Sequence, residues 1–295
     1  MTSVPSDAEL AQSLEGGFES RHAEVNGLDL HYVIGGQGRP LFLLGGWPQT
    51  WWQFHKIMPE LARRHQVIAV DLRGMGSSAK PESGYDKRTM ATDILALARF
   101  LGHDQVDIAG HDIGATVAYS FAANHPEAAR RIALLDVQHP GEHWYQFSVL
   151  PRPGQKLVPW WFAFNQLRGL PEQLISGRSR FLIDAVHNPL LADPASISDF
   201  DRAIYAHAYS TPEAIRAGNG WYQAFGQDIE DERGYAPLTP PILALTSEWG
   251  FDAARTFLFR RALDAEVVTI EDSGHYLAEE QPGQVVRHLT TFFGK

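Results

Sequence analysis

Residues 110–122, GHDIGATVAYSFA, place an aspartate at the centre of a G-x-D-x-G pentapeptide. A serine in such a position needs a base to remove its proton before it attacks. A carboxylate needs none, because it is already anionic at neutral pH and can displace a leaving group from an sp³ carbon to form an alkyl ester. Releasing that ester is a second step, in which a general base must activate water. Asp112 therefore points to alkyl-transfer hydrolysis and away from acyl-transfer work of the esterase kind. The pentapeptide alone is weak evidence, since at ~7% glycine it arises by chance in roughly one of several chains this long. Its frame of strand, sharp turn and helix makes it informative. QVDIAG (105–110) reads as a short buried strand, and IGATVAYSFAANH (113–125) puts Ile113, Val117 and Phe121 on one helical face.

The elements around that turn follow an α/β rhythm. From 27 to 136 come strand-like LDLHYVI and PLFLLGG, helix-like WWQFHKIMPELARR, strand-like QVIAVD and helix-like MATDILALARFLG. QVDIAG, the 113–125 helix and RIALLD complete the run. This order predicts a mostly parallel central sheet with helices on both faces, an α/β class fold whose active site lies at the carboxyl ends of the strands. From 137 to 238 the pattern changes to aromatic, proline-interrupted helical pieces without a convincing strand. The rhythm returns with PILALTSEWG (241–250), a helix over 252–263, EVVTIEDSGHY (266–276) and a helix ending near Phe293. The expected organisation is one core, 1–136 and 239–295, with a helical cap, 137–238, inserted after RIALLD.

The chain has 295 residues, 44% of them hydrophobic, enough for one large domain with an insertion. A net charge of −10 disfavours nucleic acid and anionic membranes as partners. With no cysteine, disulfides and thiolate chemistry are excluded. The first twenty residues lack a basic segment followed by an apolar core, and no run approaches ~18 apolar residues, so a cytoplasmic location is expected.

GGWPQTWWQF, DLRGMGSS, GHDIGA, RIALLD and DSGHYLAEEQP, in that order and spacing, resemble the α/β-hydrolase fold proteins, specifically epoxide hydrolases and their dehalogenase relatives. The likeness covers nearly the whole chain apart from the first twenty residues. It implies Asp112 as nucleophile, His275 as the base for ester hydrolysis, and a carboxylate to orient that base. Asp136, closing the sixth strand of the fold, is favoured for this role, with Glu248 and Asp252 after the seventh strand as alternatives. Many epoxide hydrolases carry the acid after strand seven, but alignment puts Gly250 there. GGWP (45–48) resembles the family's H-G-x-P turn with Gly45 in place of the histidine. It implies an oxyanion hole from the Trp47 and Ile113 amides.

Epoxide hydrolases generally present two tyrosines from the cap. WYQAF (221–225) matches the second and gives Tyr222, while the first falls on Trp161. An indole N–H donates a hydrogen bond without surrendering its proton, so Tyr222 is the expected acid and Trp161 an auxiliary donor. No metal or other cofactor is implied, and the oligomeric state is open between monomer and homodimer.

Two alternatives remain. Fluoroacetate dehalogenases also pair a Trp and a Tyr at these positions and use a strand-six Asp, but they clamp a carboxylate with arginines where this chain has Ile113 and Thr116. A non-catalytic ligand-binding protein on the same fold is the other. The insertion holds 15 aromatic residues from Trp144 to Tyr235. They favour a bulky apolar or aromatic epoxide, up to polycyclic size and of the kind met in secondary metabolism, as the small-molecule substrate.

Overall fold

The apolar runs of the chain assemble into one eight-stranded sheet of order β1-β2-β4-β3-β5-β6-β7-β8 in a computed structural model that describes residues 4–153 and 158–295. Residues 154–157 of the expected insertion lie outside the described residues. The strands are β1 (Glu19–Val25), β2 (Leu28–Gly35), β3 (Arg39–Leu44), β4 (His65–Val70), β5 (Val106–His111), β6 (Ala129–Leu135), β7 (Ile242–Thr246) and β8 (Ala265–Thr269). The β1–β2 and β2–β4 pairs are antiparallel, and every other pair is parallel. All six residues of β5 are buried, as a strand covered on both faces requires. Register places Leu44 beside Gly110, His111 beside Leu135, and Leu135 beside Leu245. The carboxyl ends of β3, β5, β6 and β7 are thereby level, and the loops that leave them share one edge.

On the sheet lie α1 (Asp7–Gln12), α2 (Met58–Leu61), α3 (Lys87–Phe100) and α4 (Ile113–Asn124). Between β6 and β7 come α5 (Trp160–Phe164), α6 (Leu170–Ile175), α7 (Ser179–Leu190), α8 (Asp199–Ala208), α9 (Pro212–Gln223) and α10 (Phe225–Arg233), with no strand among the described residues. The chain closes with α11 (Phe251–Arg261), α12 (Leu277–Glu280) and α13 (Pro282–Phe293). The inserted helices are tied to the core by buried polar contacts. Lys87 Nζ, fully buried at the start of α3, lies 2.8 Å from both Asp228 Oδ2 and the Trp221 carbonyl. Trp52 Nε1 donates to Asp201 Oδ1 at 2.8 Å, and Trp221 Nε1 donates to the Arg73 carbonyl at 2.9 Å.

Two elements depart from the sequence reading. WWQFHKIMPELARR is not one helix: it forms a 3₁₀ turn, Trp51–Phe54, and then the single turn of α2. Trp51, Trp52, Gln53 and Phe54 are all buried, so that stretch has no solvent face, and Pro59, without an amide hydrogen, suits the first turn of a new helix and not the interior of a longer one. The strand β1, ESRHAEV, was not expected. It is an edge strand with only Ala23 and Val25 buried, and its charged residues mask the alternation that marks a strand.

Candidate active site

The turn between β5 and α4 is sharp, with a single residue joining strand to helix. Asp112 sits in it at φ 52°, ψ −120°, a backbone state that a non-glycine residue holds only under constraint. The flanking glycines make it feasible. A Cβ on Gly110 would lie 2.1 Å from the Gly114 carbonyl oxygen, and one on Gly114 would lie 2.0 Å from that of Leu44. The G-x-D-x-G spacing is thus a packing requirement that presents Asp112 at the sheet edge. Across the turn, a Cβ on Gly46 would meet Asp112 Cβ at 2.4 Å, so only glycine lets the β3 loop approach. That approach brings the Trp47 N–H to Asp112 Oδ1 at 2.9 Å. The Ile113 amide is the first of α4, where helix amides have no intrahelical acceptor.

His275, on the loop after β8, stands between two carboxylates. Its Nε2 is 3.6 Å from Asp112 Oδ2, and its Nδ1 is 2.9 Å from Asp136 Oδ2. Asp136, at φ 59° beyond the end of β6, is itself held: its Oδ1 accepts from the Ser247 amide at 2.6 Å and the Ser247 hydroxyl at 2.7 Å. Glu248 and Asp252 are exposed, and the Nδ1 they would need is bonded to Asp136. The structure therefore brings Asp112, His275 and Asp136 together and leaves the strand-seven carboxylates outside.

The electrostatics follow from this arrangement. Burial lowers the pKa of His275, but the hydrogen bonds and charges of Asp112 and Asp136 outweigh it and raise the group to about 10. Burial raises the pKa of Asp112, yet its contacts with His275, the neighbouring His111 and the Trp47 amide hold it below the ordinary carboxylate value. The resting pair is thus an imidazolium beside a carboxylate. An ionised carboxylate has the chemistry of a nucleophile without a base.

Facing Asp112 is a cavity of about 200 Å³, lined by Trp47, Trp144, Phe147, Trp161, Phe162 and Phe225 as its aromatic walls, with Tyr222, Asp112 and His275 among its polar groups. No lysine or arginine lines it among the described residues. Tyr222 and Trp161 are 2% and 7% exposed. Burial, and then the charge of Asp112, push the Tyr222 phenol well above its ordinary value, opposed only in part by hydrogen bonding to Trp161. Tyr222 is therefore fully protonated at neutral pH. Ile113 and Thr116 lie on the floor of the same cavity.

Three residues at the site were not singled out from sequence: Ser247, His111 and Gln53. His111 adjoins Asp112 in GHD, which was a signal. Gln53 lies in a segment read as an ordinary helix and gave none.

A profile of the alpha/beta hydrolase fold matches residues 39–282. The chain is 36% identical over 278 residues to a soluble epoxide hydrolase of Corynebacterium sp. (strain C12), a match covering 92% of this chain and 96% of that one. It is 32% identical over 164 residues to a fluoroacetate dehalogenase of Burkholderia sp, covering 54% and 53% of the two chains. Among solved structures, the epoxide hydrolase CorEH superposes with a TM-score of 0.86 at 33% identity, covering 94% of this chain and 99% of the other. Cfl2 from Burkholderia cenocepacia superposes equally well, at 34% identity with 94% and 96% covered.

Proposed function

This chain belongs to the alpha/beta hydrolase fold family, among its epoxide hydrolases, and from that premise we propose that it opens an apolar aromatic epoxide to a diol through an ester on Asp112. The observation that carries the reading is the cavity itself. One apolar chamber, without lysine or arginine among its described lining residues, holds a carboxylate nucleophile and a protonated phenol together. Asp112 attacks an epoxide carbon, the C–O bond breaks, and the departing oxygen takes the Tyr222 proton while the Trp161 N–H donates to it.

Alkylation removes the charge of Asp112, one of the two that hold the proton on His275. The imidazolium then returns a proton to the Tyr222 phenolate and becomes the neutral base of the second step. It takes a proton from water as the oxygen of that water attacks the ester carbonyl, with the Trp47 and Ile113 amides donating to the oxyanion. Collapse releases the diol and restores the Asp112 carboxylate beside the His275 cation. The proton count closes, and each turnover consumes one water. The helices over 137–238 act as the cap. No metal or cofactor enters the scheme, and the only partner it needs is a small molecule. No described helix is long and apolar enough to cross a membrane, and we take the enzyme to work in the cytoplasm.

The size of the cavity narrows the substrate. An apolar cavity of about 150 Å³ holds a benzene ring, so the present one, at about 200 Å³, has room for a one-ring aromatic epoxide. Such epoxides come from oxygenation of an alkene, a reaction class common in secondary metabolism. The test is a panel of epoxides with one, two and three fused rings, together with organohalides, assayed for diol and for halide. Diol from the one-ring members supports the proposal. Halide release without diol would favour dehalogenation, the second reading, which the Trp161–Tyr222 pair and Asp136 also fit. Binding without either product would favour a ligand-binding protein.

A further inference from the structure

Two buried polar side chains touch the site without entering the chemistry above. His111 and Gln53 are 3% and 2% exposed. The His111 ring has a partner at each nitrogen: Nε2 is 2.9 Å from the carbonyl oxygen of His275, and Nδ1 is 2.8 Å from Gln53 Oε1. A carbonyl only accepts, so Nε2 carries a proton. Nδ1 then either accepts from the carboxamide NH₂, leaving the ring neutral, or donates to the carboxamide oxygen, making it a cation.

The two ends of a carboxamide have the same shape, so the surrounding network decides which one faces the ring. On its far side the Gln53 carboxamide has only a 3.3 Å contact with the Thr50 carbonyl, which already accepts from the Gln53 backbone N–H at 3.1 Å. Turning the carboxamide end for end gives up that one long contact and sets its oxygen 3.3 Å from the Thr50 carbonyl, a smaller cost than two acceptors 2.8 Å apart at a neutral ring. Burial, and next the His275 cation, push His111 down to about 4, which favours the neutral ring.

We infer that Gln53 and His111 form a positioning relay, in which the Gln53 NH₂ donates to His111 Nδ1 and the His111 Nε2–H holds the His275 backbone in register with Asp112. The inference rests on the roles proposed above for Asp112 and His275. It also accounts for Gly45. A Cβ there would lie 2.4 Å from Gln53 Nε2, so the carboxamide would have to shift from its present place against the ring. The GGWP turn thus lacks a side chain at its first residue because the Gln53 side chain fills that space.

The relay is tested by ¹⁵N NMR of histidine-labelled protein, with the His111 signals assigned by their loss in His111→Gln. The expected ring carries one proton, on Nε2, with Nδ1 as an acceptor at neutral pH. A doubly protonated ring in the wild type overturns the inference. Gln53→Glu offers only acceptors, so it should recruit a second proton to Nδ1.

Both Gln53→Glu and Gly45→Ala should slow ester hydrolysis by on the order of 10- to 100-fold while leaving the alkylation rate nearly unchanged, because the base acts only in the second half-reaction. Unchanged ester hydrolysis in Gly45→Ala overturns the inference even if Gln53→Glu fails to fold. The NMR readout does not depend on turnover. Absence of any Asp112 adduct would therefore sink the functional reading and leave the state of the ring to be judged separately.

Discussion

Gly250 lies against the carboxylate of Asp136: a Cβ built on it would come 3.0 Å from Asp136 Oδ1. The two loops that could each supply an acid to His275 compete for one volume. In this chain the β6 loop fills it, and the missing side chain at 250 leaves the room. Asp136→Asn is expected to slow ester hydrolysis by roughly 10³- to 10⁴-fold, as loss of the orienting carboxylate does elsewhere. Glu248→Gln should have little effect. Asp136→Gly suits the φ of 59° and opens the space, so adding Gly250→Asp to it should recover part of the loss. Pre-steady-state rates that rank Glu248→Gln below Asp136→Asn would move the acid to the β7 loop.

His275→Gln separates the half-reactions. Asp112 attacks without a base, so the ester should form and persist. Intact-protein mass spectrometry after mixing with a turned-over epoxide should show an adduct of the whole substrate mass on the peptide containing Asp112. A halide substrate would instead add its mass less hydrogen halide. No adduct on a folded variant that binds the substrate would rule out the covalent route.

Tyr222→Phe removes the only expected cap donor able to release a proton, and should slow ring opening by about 10²- to 10⁴-fold. Trp161→Phe removes one ordinary hydrogen bond and should lower it by no more than roughly tenfold. Stopped-flow measurement of the opening step decides. Equal losses would mean that the proton comes from water.

His275 also links stability to pH. Its folded pKa, about 10, is above the ordinary 6.5. The stabilisation from its two carboxylate partners is therefore fully present below the ordinary value and is lost as pH rises through the folded one. Denaturation midpoints should fall between neutral pH and pH ~10, and His275→Gln should lack that component of the slope. Parallel curves for the two proteins would contradict the assigned charge state.

The Lys87–Asp228 pair is buried on both sides. Lys87→Met leaves a buried carboxylate unpaired and should destabilise the protein by about 3–5 kcal/mol, whereas Lys87→Met with Asp228→Leu should recover most of this. Chemical denaturation of the three variants measures it. Additive losses would show that the two residues act independently.

Much of this site could be read from residue order, because its geometry is local at the decisive point. The two glycines around Asp112 are dictated by contacts within the turn itself and with the adjacent β3 loop, and those constraints leave a pattern of fixed spacing. Asp136 and His275 could be read because each ends or follows an apolar strand. Gln53 could not. Its neighbours Trp51, Trp52 and Phe54 are buried in every direction, so no periodicity separates a polar residue serving the site from one on an exposed face. The cavity volume was equally hidden, since a count of aromatic residues does not say how many fill space and how many line it.

The level ends of β3, β5, β6 and β7 have a consequence for biosynthesis. Asp112 directly follows the fifth strand, whereas the loop carrying His275 follows the eighth and last strand of the sheet. During translation Asp112 emerges from the ribosome well before His275. On the covalent reading, a nascent or truncated chain that ends short of β8 could accept an alkyl group on Asp112 but could not release it. The order in which the protein is made would then favour completing the sheet quickly wherever reactive epoxides accumulate.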